Sequence, residues 1–323
     1  MFCLYILLFP LFFSSCKRDH RLDNLVIHEN PFVVVKSKPK VLLDKLDNPI
    51  APVFFEERIV FAESGKGIIY EYRKEKVTPL IEGFGLDKYG RYQISVLGIM
   101  RIPDKNIWIV AASQDSGHIL MFNESSFPTT ADKGREIEML RTEPSNPFEV
   151  ILVSKGKIIV ASGGTKSVYQ GNFDVINPGP LKPVFDVVSG VEGMVEDPKT
   201  GNIYGAVVGS GKKDGSLIRW DPTANIIQPQ TVAEGFSNLI GVIFLPNRLL
   251  LLLEFGSFEG SESGRLSVID PDRPDKSYPL LTGLDSPSGF ALSADNTLLI
   301  STFGKTPDAQ TGMMIELKLE MKN

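Results

Sequence analysis

The sequence predicts an all-β chain: a six-bladed β-propeller of four-stranded antiparallel blades, its ring closed by an N-terminal strand that completes the last blade. Three observations carry this. A unit of about 45 residues, with four short apolar or β-branched stretches between turn residues, recurs six times. Nowhere does an apolar i, i+3, i+4, i+7 stripe of helical length occur. The last unit stops at its third strand, and a matching fourth strand stands near the start of the chain.

The units open at Ala51-Pro52-Val53, Leu97-Gly98-Ile99, Phe148-Glu149-Val150, Glu192-Gly193-Met194, Ile240-Gly241-Val242 and Ser288-Gly289-Phe290, 44–51 residues apart. Second strands follow turn chemistry such as Pro103-Asp104-Lys105-Asn106, Pro246-Asn247 and Ala294-Asp295-Asn296. They read RIVFA, NIWIVAA, KIIVAS, NIYGAVV, RLLLLLE and TLLIST. Third strands read GIIYEY, GHILMF, SVYQGN, SLIRWD, RLSVID and MMIELK, and fourth strands include VTPLI, EIEML, KPVFD and SYPLL. Residues 40–49, KVLLDKLDNP, match the join between a fourth strand and the next blade at residues 278–287, YPLLTGLDSP. Pairing of this segment with the last blade would bury both edges that otherwise invite aggregation.

Composition agrees with a packed core. Of 323 residues, 42% are hydrophobic and 23% charged, and 29 glycines and 22 prolines are scattered along the chain, which argues against disorder and for many turns. A net charge of −5 without a basic cluster excludes nucleic acid as a partner.

The first fifteen residues, MFCLYILLFPLFFSS, are uncharged, and their apolar run is too short for the roughly 20 residues of a spanning helix. They read as a signal peptide over residues 1–15. The run ends in Phe13-Ser14-Ser15-Cys16, which resembles the lipobox of bacterial lipoproteins, in the loose form tolerated in spirochaetes. That resemblance implies cleavage before Cys16, lipidation of Cys16, and a protein anchored by lipid to the membrane of a bacterial cell envelope. Lys17, rather than aspartate, after the cysteine implies the outer membrane. The other cysteine, Cys3, lies in the part removed, so no disulfide remains. Residues 16–31 read as the lipidated cysteine and a flexible tether, and residues 32–323 as the propeller of a monomer.

From Val41 onward the chain resembles six-bladed propellers of the NHL-repeat and SMP-30/gluconolactonase type, most clearly in the turn DPKTGNIY at residues 197–204. For the lactonases the resemblance implies Ca²⁺ or another divalent cation, held by a glutamate at the opening of a first strand and by asparagine and aspartate from other blades. Glu192 alone matches that glutamate. Leu97, Phe148 and Ile240 are apolar where oxygen would be needed.

First strands line the axis of such a ring, and glycine at Gly98, Gly193, Gly241 and Gly289 says that backbones crowd there. Glu149 stands where these neighbours have glycine, and Glu192 is one step away on the next blade, so the pair could bind a cation or shift each other's pKa. Loops after the second strands add Glu63, Gln114, Asp115, Glu254, Glu259, Glu262 and Asp308, an acidic rim suited to a cation, glycan or protein partner. Phe255 and Phe258 read as exposed interface anchors. Three histidines, none near a second, leave no zinc site, and His118 with Asp115 makes a poor triad. The tract at residues 162–167 reads as a blade loop rather than a phosphate loop. A quinone-dependent redox propeller is a weaker reading, with no CxxCH in the chain. The first expectation is therefore a non-catalytic binding or scaffold propeller for a protein, glycan or small ligand. The alternative is a divalent-metal-dependent hydrolase of the lactonase kind acting at the channel mouth.

Overall fold

A strand flanked by neighbouring blades on both faces must be apolar at every residue, and its two alternate sets of side chains then serve opposite neighbours. The computed structural model, which describes residues 20–141, 146–163, 165–306 and 310–322, repeats this arrangement six times. The second strands Arg58–Glu63, Ile107–Ala112, Lys157–Ser162, Ile203–Val207, Leu250–Glu254 and Thr297–Thr302 are buried over nearly their whole length. In Ile107–Ala112, the side chains of Ile107, Ile109 and Ala111 join the core shared with the third blade. Trp108, Val110 and Ala112 join the core shared with the first. Six such cores alternate with six blades.

The blades' own strands pair in chain order and antiparallel; Thr129–Thr130 adds a parallel strand to the outer edge of blade one, and the last blade is completed from the start of the chain. The first strands, Pro49–Phe55, Val96–Ile102, Pro147–Val153, Val191–Glu196, Leu239–Phe244 and Pro287–Leu292, each contact the next, and the sixth contacts the first. The protein is an all-β, six-bladed propeller.

Closure occurs as the matched segments predict. Lys40–Leu46 pairs antiparallel with the last strand, Gly312–Met321, through Val41 with Ile315 and Leu43 with Met314. Val33–Val35 continues along the same edge, with Val33 opposite Met321. Leu46 seals the core between the sixth and first blades with Phe61, Leu299 and Met314.

Three features differ from the expectation. The tether was expected to be flexible over residues 16–31, but its described part lies on the ring. Val26–Ile27 pairs with Thr282 and Leu281 as a fifth strand of blade five. Asn30 is buried, its amide donating to Tyr278 O and its Oδ1 accepting from the Phe32 and Val33 N–H groups. The open outer edge of blade five offers backbone partners, and Leu22 and Leu25 find apolar cover. In blade two, the fourth strand narrows to Arg135–Glu136, and the residues after it bridge to Leu181 of blade three. Between blades one and two, a short hairpin, Asp87–Tyr89 with Tyr92–Ile94, is inserted. Among the described residues no helix is long and apolar enough to cross a membrane; Cys16 and the signal segment lie outside them.

Candidate functional site

Each first strand begins with an irregularity that aims a side chain at the axis. In blades two to six the pairing between first and second strand skips one residue, Leu97, Phe148, Glu192, Ile240 or Ser288, and in blade one it skips Ala51 and Pro52. Such bulges redirect side chains out of the pleat, and all seven residues line one axial cavity of about 170 Å³. The residue after each bulge sits where blades converge. A Cβ on Gly98 would lie 2.6 Å from Phe148 O, and one on Gly193 would lie 2.7 Å from the Gly241 Cα. The crowding inferred from the glycines is real, and in blade three Glu149 takes the equivalent place.

Glu149 and Glu192 therefore face the same cavity from adjacent blades. The other walls are apolar, with Leu97, Phe148, Ile240 and Phe290 prominent, and no lysine, arginine or histidine lines the cavity among the described residues. Glu149 is half-buried, with protein packed around its carboxyl and its remaining surface on the cavity. Burial pushes its carboxyl up to about 8, because the charged form loses its hydration without gaining a cation. The Val150 N–H, 3.2 Å from Oε1, opposes the shift without cancelling it. Glu149 is thus a carboxylic acid, able to donate a proton, at neutral pH.

One end of the cavity is walled by Phe255 and Phe303, which follow the second strands of blades five and six. Tyr92, from the inserted hairpin, packs behind both, its ring centroid 6.0 Å from Phe255 and 4.7 Å from Phe303. The Tyr92 hydroxyl bonds Ser286 Oγ at 2.8 Å and accepts from Arg91 at 3.0 Å. The loop-side mouth, expected to be open and acidic, is an aromatic plug. Phe255 is buried and Phe258 stacks on it at 4.7 Å, so neither is the exposed anchor the sequence suggested. Their apolar area is better spent closing the axis than facing water.

The acidic rim dissolves into separate roles. Glu63 is buried and accepts from the Asp47 N–H at 2.8 Å, with Lys66 at 2.9 Å. Glu254 occupies the same place in blade five, accepting from the Ser237 N–H at 2.8 Å and from Arg265. Both are struts between a second strand and the connection entering the blade. Asp115 stands exposed in a turn with φ 48°, and Glu259 and Glu262 are exposed on their loop. The Gln114 side chain accepts from the Gly85 N–H. Asp308 lies outside the described residues. His118 pairs with Glu136 at 2.8 Å rather than with Asp115, so no triad forms there. Replacing Glu254 by alanine orphans a buried N–H and is expected to cost about 1–3 kcal/mol. The denaturant midpoint should fall while any activity of the axial cavity persists.

A divalent cation was expected at Glu192 and Glu149. Both residues line the cavity, but the shift of Glu149 comes from burial and not from Glu192, and calcium takes six to eight oxygens. Leu97, Phe148 and Ile240 fill the equivalent bulge positions, and Ser288 Oγ is committed to Pro49 O and Ser301 Oγ. Among the described residues no three His, Cys, Asp or Glu side chains stand together as metal ligands. The residues present do not fit a closed calcium site.

No protein-family model matches the chain, and no curated protein is significantly similar to it. Solved structures do match. A gluconolactonase from Xanthomonas campestris is 13% identical, with a TM-score of 0.63 over 92% of this chain and 99% of that one. A calcium-binding protein, regucalcin, from Agrobacterium tumefaciens is 14% identical, with a TM-score of 0.62 over 88% and 95%. The aldose sugar dehydrogenase of Streptomyces coelicolor, in its PQQ-bound form, is 12% identical, with a TM-score of 0.61 over 89% and 99%. Likeness at this identity establishes the fold, here one shared with gluconolactonases and sugar dehydrogenases. The first expectation, a non-catalytic scaffold, is corrected to this extent: the neighbours named here are a gluconolactonase, a calcium-binding regucalcin and a sugar dehydrogenase, in line with the hydrolase alternative. The site adds an acid in an axial cavity whose loop-side end is closed by aromatic rings. PQQ, a tricarboxylate, would meet no basic side chain among the described lining residues, so it does not fit.

Proposed function

We propose that the chain is a hydrolase of carboxylic esters or lactones, of the gluconolactonase type in fold, that works from the axial cavity with Glu149 as general acid. The carrying observation is the Glu149 carboxyl, buried without a cationic partner and held neutral up to pH about 8, facing the same cavity as Glu192. A second carboxyl on the same cavity leaves a candidate base beside that acid.

In the reaction, water adds to the ester carbonyl and passes its proton to the Glu192 carboxylate. As the carbon–oxygen bond to the leaving oxygen breaks, Glu149 gives that oxygen its proton. Transfer of one proton from Glu192 to Glu149 then restores both groups, and the sum is ester plus water to acid plus alcohol. Apolar walls at Leu97, Phe148 and Ile240 limit water and strengthen the electrostatics of the site. No step is routed through a metal.

The test is hydrolysis by the full chain across a panel of esters and lactones, followed against pH. A general acid must carry its proton and a base must have lost its own, so kcat/KM should fall at acid pH as Glu192 takes up a proton, hold up to pH about 8 and fall tenfold per unit above it. A rate that rises through pH 8, or that vanishes with chelator and returns only with Ca²⁺, would overturn the assignment. The proposal also keeps the lipid anchor at Cys16. The Cys16→Ala variant should leave the membrane fraction for the soluble one and lose incorporation of labelled palmitate; a variant that stays lipidated and membrane-bound would remove the anchor from the proposal.

A further inference from the structure

We propose that the substrate is a small, largely apolar ester or lactone, not a polyhydroxylated sugar lactone. This rests on the hydrolase reading above and narrows it.

Size is the first reason. A cavity of about 170 Å³ lies below the roughly 300 Å³ at which pockets for larger ligands begin. The plug cannot yield space cheaply, because Tyr92, Phe255 and Phe303 are fully packed against one another and Tyr92 is tied to Ser286. Polarity is the second reason. A sugar lactone carries several hydroxyls, and Asn, Asp, Arg, Lys and His, side chains that hydrogen-bond hydroxyls strongly, are all absent from the cavity lining among the described residues. Glu149 and Glu192 are engaged in the reaction, and Ser288 Oγ already donates to Pro49 O. Each hydroxyl buried without a partner weakens binding about tenfold or more. A methylene at the same place meets Leu97, Phe148, Ile240 or Phe290 and gains from leaving water.

The experiment measures kcat/KM of the full chain for unsubstituted five- and six-membered lactones, short-chain ethyl esters, and a polyhydroxylated six-membered lactone. Each rate is corrected for spontaneous opening and repeated with Glu149→Gln to confirm the site. The expected result is a preference of at least a hundredfold for the unsubstituted compounds. Equal rates, or a preference for the hydroxylated lactone, with Glu149 dependence intact, would overturn the substrate class and leave the hydrolase standing. Hydrolysis of no compound in the panel would overturn the hydrolase, and this proposal with it.

Discussion

The substitution Glu149→Gln is expected to lower kcat at least about a hundredfold, the usual contribution of a positioned proton donor, while changing KM little. Glutamine keeps the shape of the neutral carboxyl and can still accept the Val150 N–H, so the cavity and fold should persist. The same variant reads the buried group a second way. Glu149 titrates near 4.5 in the unfolded chain and near 8 in the fold. Between those values the native state keeps a proton that the unfolded state has released. Stability contributed by this group is therefore complete below pH about 4.5, declines by up to about 1.4 kcal/mol per unit as pH rises, and is lost above about 8. Carboxyls held low by partners, such as Glu124 between Arg58 and Arg101, act with the opposite sign and below this window. Urea midpoints at pH 5, 6.5 and 8 should fall steadily for the native protein and noticeably less for Glu149→Gln. Parallel slopes would place Glu149 in water, and unchanged turnover would remove it from the reaction.

The contrast between Glu149 and Glu254 shows what the sequence alone can tell. Both look like isolated carboxylates, yet one breaks a repeat and the other does not. Glu149 interrupts a glycine series whose period marks the axis, so its place was legible from spacing. The ring of six and its closing strand were legible for the same reason, since periodicity and a matched pair of segments are local patterns. Glu63 and Glu254 sit in glycine-rich loop sequence and read as surface charge, but the turn into each blade leaves a backbone N–H that needs an acceptor. Tyr92 was missed because its partners are distant in the chain: Phe255 belongs to blade five, and Ser286 and Phe303 to blade six. No local pattern reports a contact of that kind. The bulges escaped as well, because skipping a residue alters pairing without altering composition.

Closure of the ring supports the largest stability effect. Residues 33–46 cover the outer edge of Gly312–Met321 and bury Val33 and Leu46, with Val41, Leu42 and Leu43 partly covered. At roughly 1.5–3 kcal/mol for each fully buried aliphatic side chain, their removal forfeits on the order of 5–10 kcal/mol, as much as the whole stability of an ordinary domain. It also bares an unpaired strand edge. A chain beginning at Pro49 should accumulate as aggregate, with no cooperative unfolding transition. Truncation alone could harm any protein, so the sharper experiment moves the segment instead of deleting it. Met321 lies opposite Val33, and the Lys322 N–H bonds Phe32 O at 2.8 Å, which places the end of the chain beside the start of the closing segment. A circular permutant that begins at Pro49 and carries residues 29–48 after Asn323 keeps both pairings of the closing segment, gives up the two-residue Val26–Ile27 pair on blade five, and exchanges one connection. Loop entropy changes of that kind are small, so the permutant should recover a urea midpoint close to that of the parent. If the permutant aggregates like the truncated chain, the segment acts through its covalent link to blade one and not as the strand that seals the sixth blade.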